Sequence, residues 1–259
     1  MSDVVSELMK DYVLKLSAEG KRIDGRTLDQ VRPITITKNI IASAEGSAQV
    51  NLGETTVIVG VKAQLGEPFA DTPNCGVLTT SAELVPMASP TFEAGPPSPV
   101  AIELARVVDR GIRESECVDL EKLCVIPGEK VWILFLDLHI LDYDGNLFDA
   151  CSIAALAALA STKIPYSQLD PAKKDEMLEL QSWPVSLTAV KIRDSMFADP
   201  SLDEETIADS RITVVTDENG NLRAMQKGVG GSITIEDAEK LIAMSVKHGS
   251  DVRAKVRGA

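Results

Sequence analysis

Apolar residues recur at Val5, Leu8, Tyr12 and Leu16, the spacing of one helix face, and Glu19-Gly20 supplies a stop. A polar turn with charge at both ends follows, Arg22-Ile23-Asp24-Gly25-Arg26. From Ile34 the pattern becomes strand-like. Residues 46–53 and 55–63 are β-rich runs separated by Gly53-Glu54, which predicts a hairpin, and residues 76–86 predict a third strand. Pro96-Pro97-Ser98-Pro99 is a rigid lead-in: Ser98 can cap a helix and Pro99 suits its first position. That helix should run to Ser115. After Pro127-Gly128 comes a strongly apolar β run, residues 130–141, and then a turn at Tyr143-Asp144-Gly145-Asn146. Residues 149–161 are rich in small side chains and predict a helix that packs closely on a sheet.

The second half repeats the theme. Residues 185–197 and 212–216 read as strands, Asp217-Glu218-Asn219-Gly220 as a tight hairpin, and the strand after it runs to Gln226. Residues 235–248 form an amphipathic helical pattern. Strands precede helices in each half, which argues for an α+β architecture over alternating βα units. The polar stretch between Ile164 and Trp183, with Lys173, Lys174, Asp175 and Glu176, is the expected boundary. The expected divisions are an N-terminal helix and extension (1–25), a first half (26–165) and a C-terminal half (183–259).

The chain has 259 residues, 44% of them hydrophobic, enough for a sizeable core. Its net charge is −13, from 26 basic and 39 acidic residues. Such a chain repels polyanions at long range, so binding nucleic acid would need a concentrated basic patch. Four cysteines (Cys75, Cys117, Cys124, Cys151) and two histidines (His139, His248) form no C-x-x-C pair, so no metal site or cofactor is expected. Cys124 and Cys151 stand among apolar neighbours and should be buried. The N-terminus lacks a basic segment followed by an apolar run, so no secretory signal is expected. The most apolar helical stretch, residues 150–160, is too short to cross a bilayer. A soluble cytoplasmic protein without membrane association is the expectation.

One basic constellation stands out. In the helix ending at Ser115 the apolar positions are Ile102, Leu104, Ala105, Val107, Val108 and Ile112. Arg106, Arg110 and Arg113 fall within a sector of roughly 60° on one face. Their forked donors suit successive backbone phosphates. The alternative is that they pair with Glu103, Asp109, Glu114 or acidic neighbours. From composition and spacing alone, that pairing is the weightier reading.

At this helix the sequence resembles the ribonuclease PH family. Residues 103–113 (Glu103-Leu104-Ala105-Arg106 to Ile112-Arg113) are similar to the family's arginine-bearing helix. Arg22-Ile23-Asp24-Gly25-Arg26 matches its R-x-D-G-R motif. Gly46-Ser47-Ala48 and Leu52-Gly53-Glu54-Thr55-Thr56-Val57 match its strands, and Gln226-Lys227-Gly228 with Gly230-Gly231 fits its C-terminal half. Phe92-Glu93-Ala94-Gly95-Pro96-Pro97 and Leu141-Asp142-Tyr143-Asp144-Gly145-Asn146 resemble a narrower branch, the inactive ring subunit of the archaeal exosome. The resemblance covers nearly the whole chain. It implies the ribonuclease PH fold (ribosomal protein S5 domain 2-like), with two pseudo-related halves of sheet plus helices.

Active members of the family are phosphorolytic 3′→5′ exoribonucleases. Their phosphate pocket is a D-G-G-[ST]-R type turn before a helix, whose first amides help to hold the anion. Here the matching turn is Asp144-Gly145-Asn146-Leu147-Phe148-Asp149. Leu147 and Phe148 replace the hydroxyl and the arginine, and Asp149 adds negative charge at the helix start. It would serve as a cap and repel phosphate. The resemblance places Asp209 near the catalytic aspartate of active members; the alternative is a strand-start or turn residue. No catalytic residue is expected in this chain.

The resemblance further implies pairing with a catalytic ribonuclease PH-like subunit, three pairs closing a hexameric ring, and cap subunits with S1 or KH domains. It implies that Arg106 and Arg110 hold the phosphates of single-stranded RNA at the partner's active site, with Arg113 the weaker of the three. A local arginine row can do so whatever the global charge. Two alternatives stand beside this: an independently active phosphorolytic ribonuclease, and a purely architectural ring component.

Overall fold

The computed structural model describes residues 3–259. Helix α1 (Asp3–Ala18) ends in a Schellman motif: the Gly20 amide bonds the Ser17 carbonyl, the Lys21 amide bonds the Leu16 carbonyl, and Gly20 takes φ +71°. Strands β1 (Ile34–Lys38), β2 (Gly46–Leu52), β3 (Thr55–Gly66) and β4 (Val77–Leu84) lead to α2 (Pro99–Glu114). Then come β5 (Cys124–Ile126), β6 (Lys130–Asp142), α3 (Leu147–Leu159) and the short pair β7 (Lys163–Ile164) and β8 (Glu176–Met177). The remainder is β9 (Val185–Ile192), β10 (Ser195–Ala198), α4 (Leu202–Ile207), β11 (Ser210–Thr216), β12 (Leu222–Gly228) and α5 (Ile235–Gly258).

The first sheet has the order β1-β2-β3-β6-β4, with β5 paired to β6. The β2–β3 hairpin turns at Gly53, whose φ of +58° suits the first position of a two-residue turn. Strand β4 runs parallel to β6, so the chain must cross over between them, and α2 lies in that crossover. The second sheet, β10-β9-β11-β12, is wholly antiparallel. This is the α+β architecture expected.

Helix α3 is buried along its whole length, packed against β2, β3, β9 and α2. A helix apolar all round belongs in an interior, and its alanines let the neighbours approach. Gly46 shows how close they come: a Cβ there would lie 2.2 Å from Thr162 Oγ1 and 2.6 Å from the Ala158 carbonyl oxygen. Helix α2 is capped as expected, Ser98 Oγ accepting from the Ala101 amide, with Pro99 at its first position. It buries Leu104, Val107, Val108 and Ile112. At about 1.5–3 kcal/mol for each fully buried aliphatic side chain, that face fixes the helix and leaves its polar face free for other work.

Several expectations are corrected. On α1, Leu8 and Tyr12 face solvent while Val13 is buried against Val190, Ile192 and Phe197; the side chain of Val5 lies outside those described. Ile102 of α2 is likewise exposed. Helix α3 begins two residues before Asp149, because Asn146 and not Asp149 is its cap. Helix α5 continues ten residues past His248, since Val252 and Val256 extend its buried face. Of the cysteines, Cys117 and Cys151 are buried and Cys124 is only half-buried; burial pushes the Cys117 thiol up to about 12. Arg22 and Arg26, read as a polar turn, are buried too.

Candidate nucleic-acid interface

The three arginines of α2 share a shallow depression of about 350 Å³ with Asp109 and Glu114. They differ in what holds them. Arg113 pairs with Asp109 one turn back. Arg110 is half-buried and its guanidinium donates to Gln226 Oε1 of β12 at 3.0 Å. Arg106 is exposed and has no hydrogen-bonded or ionic partner among the described residues. Burial pushes the Asp109 carboxyl up, against Arg113, a hydrogen bond from Thr80, and the charges of Arg106 and Arg110. The acidic pairing expected from spacing is therefore found at Arg113 alone. Glu103 instead accepts from Arg211 of β11 at 2.7 Å.

The turn before α3 is a packed knot. Asn146 adopts the left-handed conformation (φ 54°, ψ 52°), and its side chain accepts from the Asp149 amide at 3.3 Å. Leu147 and Phe148 are buried, and the Arg211 guanidinium lies 4.1 Å from the Phe148 ring centre. Asp149 is no open carboxylate at the helix start, which corrects the expectation. It is buried and accepts from Ser186 Oγ (2.8 Å), Thr188 Oγ1 (2.9 Å), the Thr188 amide (2.8 Å) and Asn146 Nδ2 (2.8 Å). Burial pushes its pKa up; the hydrogen bonds from Asn146, Thr188 and Ser186 pull the other way.

The acceptor at this helix start is the protein's own carboxyl, whose pKa burial pushes up. Glu205 of α4 accepts from the Asn146 amide at 3.0 Å and from the Tyr143 hydroxyl at 2.7 Å. Residues 200–202 lie directly on the turn: a Cβ on Gly145, at φ +88°, would meet the Ser201 carbonyl carbon at 2.5 Å. Beneath them sits Asp199, which accepts from Arg32 Nε (3.0 Å), an Arg32 terminal nitrogen (2.8 Å), the Arg32 amide (2.7 Å), Arg26 (3.0 Å) and Asn146 Nδ2 (2.7 Å). Arg22 pairs with Glu204 and donates to the Ala198 and Asp199 carbonyls. The Asn146 and Asp149 amides and the Arg22 and Arg32 guanidiniums thus already have internal partners.

Asp209 lies elsewhere. It accepts from Lys10 Nζ of α1 at 2.5 Å and from the Arg193 amide at 2.6 Å, immediately before β11. Burial raises its pKa, but Lys10 and the Arg193 amide outweigh that and hold it below the usual carboxylate range. Its place is that of a strand-start residue that ties α1 to the second sheet. The carboxylates that do face the turn, Asp199 and Glu205, were missed from sequence. The available signal was Ser201-Leu202-Asp203-Glu204, an S-x-x-E capping pattern that announces α4. Gln226 was noted only as part of a motif.

Residues 30–165 match the 3′ exoribonuclease family, domain 1, and residues 182–248 match its domain 2. The exosome complex component Rrp42 of Thermoplasma volcanium is 52% identical over 254 residues, covering 98% of this chain and 97% of that protein. Among solved structures, a chain of the Archaeoglobus fulgidus exosome with RNA bound to the active site superposes with a TM-score of 0.93 at 48% identity, covering 98% of this chain and 99% of that one. A chain of an archaeal exosome core gives 0.90 at 44% identity, covering 98% of each. This chain belongs to the 3′ exoribonuclease family, the family of ribonuclease PH.

Proposed function

We propose that this chain is the non-catalytic ring subunit of an archaeal exosome, which pairs with a catalytic ribonuclease PH-like subunit and holds RNA for it. The observation that carries this reading is the occluded turn at Asp144–Asp149. Phosphorolysis needs inorganic phosphate in line with the last phosphodiester: its oxygen bonds to phosphorus, the bond to the preceding 3′ oxygen breaks, and a nucleoside diphosphate leaves. That geometry needs a held dianion. Here Glu205 already takes the Asn146 amide, and Leu147 and Phe148 offer no donor side chain. The curated relatives named as exosome components, and the RNA-bound exosome whose chain superposes on this one, support the assembly.

In this reading Arg106 and Arg110 contact successive RNA phosphates, and Arg113, already paired with Asp109, contributes least. Contacts to the backbone position RNA without reading sequence. Three heterodimers form the hexameric ring, S1- or KH-domain subunits cap one face, and the complex works in the cytoplasm. No helix among the described residues is long and apolar enough to cross a membrane. The same reading assigns residues 26–165 and 183–259 to the two halves of the ribonuclease PH fold, after an N-terminal helix and extension.

The test has two arms. The purified chain, given poly(A) and phosphate, should release no ADP, and adding the catalytic partner should restore release. ADP from the chain alone would establish the independently active alternative. Arg106→Glu with Arg110→Glu should weaken RNA binding by the assembled ring without dissolving it. Wild-type affinity in an intact ring would leave only the architectural role.

A further inference from the structure

We infer that Gln226 is a positioning residue for RNA binding: it holds the Arg110 guanidinium in place through a neutral oxygen, without an ion pair. The inference rests on the reading of the arginine row above. It is carried by three observations.

First, Arg110 is the one arginine of the row held from outside α2. Its partner is a neutral side-chain oxygen on the edge strand β12. The Gln226 amide nitrogen donates to the Lys227 carbonyl at 3.3 Å, which keeps the oxygen turned toward the arginine. Second, the contrast with Arg113 lies on the same helix face. Arg113 is held by a carboxylate, and that pairing spends the charge an RNA phosphate would need. A glutamine orders a guanidinium without neutralising it. Third, α2 is tied to the second sheet at another point. Glu103, seven residues before Arg110, accepts from Arg211 at 2.7 Å. Two turns of helix separate these ties, about 10 Å, so together they set the roll of α2 about its axis. The C-terminal half thus orients a binding row carried by the first half.

A free arginine side chain must be immobilised when it binds, and one held in advance loses less on doing so. Gln226→Ala should therefore weaken RNA binding by roughly 3- to 10-fold with an unchanged salt dependence, because the number of cations is unchanged. Gln226→Glu should behave like Arg110→Ala. It supplies a carboxylate at about the same distance, and the slope of log affinity against log salt should fall by about 0.7, the value of one contact to a single strand.

The experiment uses the ring reconstituted with its catalytic partner. Binding of a 5′-labelled oligo(A) is followed by fluorescence anisotropy across a salt series, without phosphate. The variants are Gln226→Ala, Gln226→Glu, Gln226→Met, Arg110→Ala and Arg110→Ala with Gln226→Ala. The inference expects the double variant to bind no worse than Arg110→Ala, since both changes act on one contact. It expects Gln226→Met, uncharged and of similar size, to follow Gln226→Ala with the wild-type slope. Wild-type affinity and slope in Gln226→Glu, while Arg110→Ala weakens binding, would overturn the positioning role and leave the RNA-binding reading intact. Wild-type behaviour of Arg110→Ala would overturn both. A double variant with additive losses would show that Gln226 acts elsewhere than through Arg110. A merely structural role would lower the melting temperature of Gln226→Glu without moving its salt slope.

Discussion

Asp199→Asn isolates the charge at the centre of the occluded turn. Asp199 sits at φ +47°, a conformation asparagine also tolerates, so the backbone need not move. Its carboxylate is fully buried and takes five donors from Arg26, Arg32 and Asn146. An asparagine amide keeps one acceptor oxygen. If that oxygen takes the place of Oδ2, the new NH2 faces an Arg32 nitrogen and Asn146 Nδ2, both donors. If it takes the other place, three donors are left facing the NH2. Removing one partner of a buried pair costs about 3–5 kcal/mol. Arg26 keeps Asp24 and Arg32 keeps Asp144, so the lower end, about 3 kcal/mol, is expected. For a chain of this size that corresponds to a fall in Tm of about 6–12 °C. Burial alone would raise the Asp199 pKa, but the Arg32 and Asn146 contacts outweigh it and leave the pKa lowered. A depressed folded pKa contributes stability above the unfolded value of about 3.9, and that contribution is lost as pH falls through the folded value. The Tm gap between wild type and variant, read by circular dichroism, should therefore be full at pH 7 and close below about pH 4. A gap under about 2 °C at pH 7, or one that widens on acidification, would refute the reasoning.

Two further substitutions test the packing around the site. Gly145→Ala must adopt a left-handed conformation and push its Cβ against the 200–202 backbone, so urea unfolding should show a loss of about 2–5 kcal/mol. Gly249→Ala should also destabilise, although alanine in a helix is worth about 1 kcal/mol over glycine. The added Cβ would lie 2.8 Å from an Arg253 guanidinium pinned to the Trp183, Thr216 and Asp217 carbonyls. In an Arg253→Ala background the same change should recover the helix gain, and a Gly249→Ala variant more stable than wild type would contradict the clash.

What was legible in the sequence had local causes. The cap at Ser98-Pro99, the hairpin at Gly53 and the strand–helix order need only neighbouring residues, and each is present in the structure. The arginine stripe was visible from helical spacing, but which arginine an acid would claim was not. Asp109 meets Arg113 on its own helix, whereas Arg110 finds Gln226 from 116 residues away. The burial of Arg22 was hidden for the same reason: its carboxylate, Glu204, is 182 residues distant. Gly249-Ser250 imitates a helix stop, yet that glycine is needed inside α5 to admit Arg253. Asp149 imitates a cap because it stands one turn into a helix whose true cap, Asn146, is left-handed.

Occlusion of the turn and retention of the scaffold have a single physical origin at the start of α3. The first amides of any helix need partners, and when the helix end is covered they cannot take them from bulk water. A family member with an open pocket can leave that task to its phosphate. Here α4 and residues 199–202 cover the turn, so the protein must supply the acceptors itself. Glu205 meets the Asn146 amide, and Asp199 and Asp149 meet the Asn146 side chain. The resulting knot also steadies α3, which packs against α2 and so supports the helix that carries the arginine row. Restoring a hydroxyl and an arginine at Leu147 and Phe148 would not by itself recreate a pocket. Both positions are buried, Arg211 already stacks on Phe148, and Glu205 would still hold the Asn146 amide. The occlusion lies in at least three elements at once, so no single substitution reverses it.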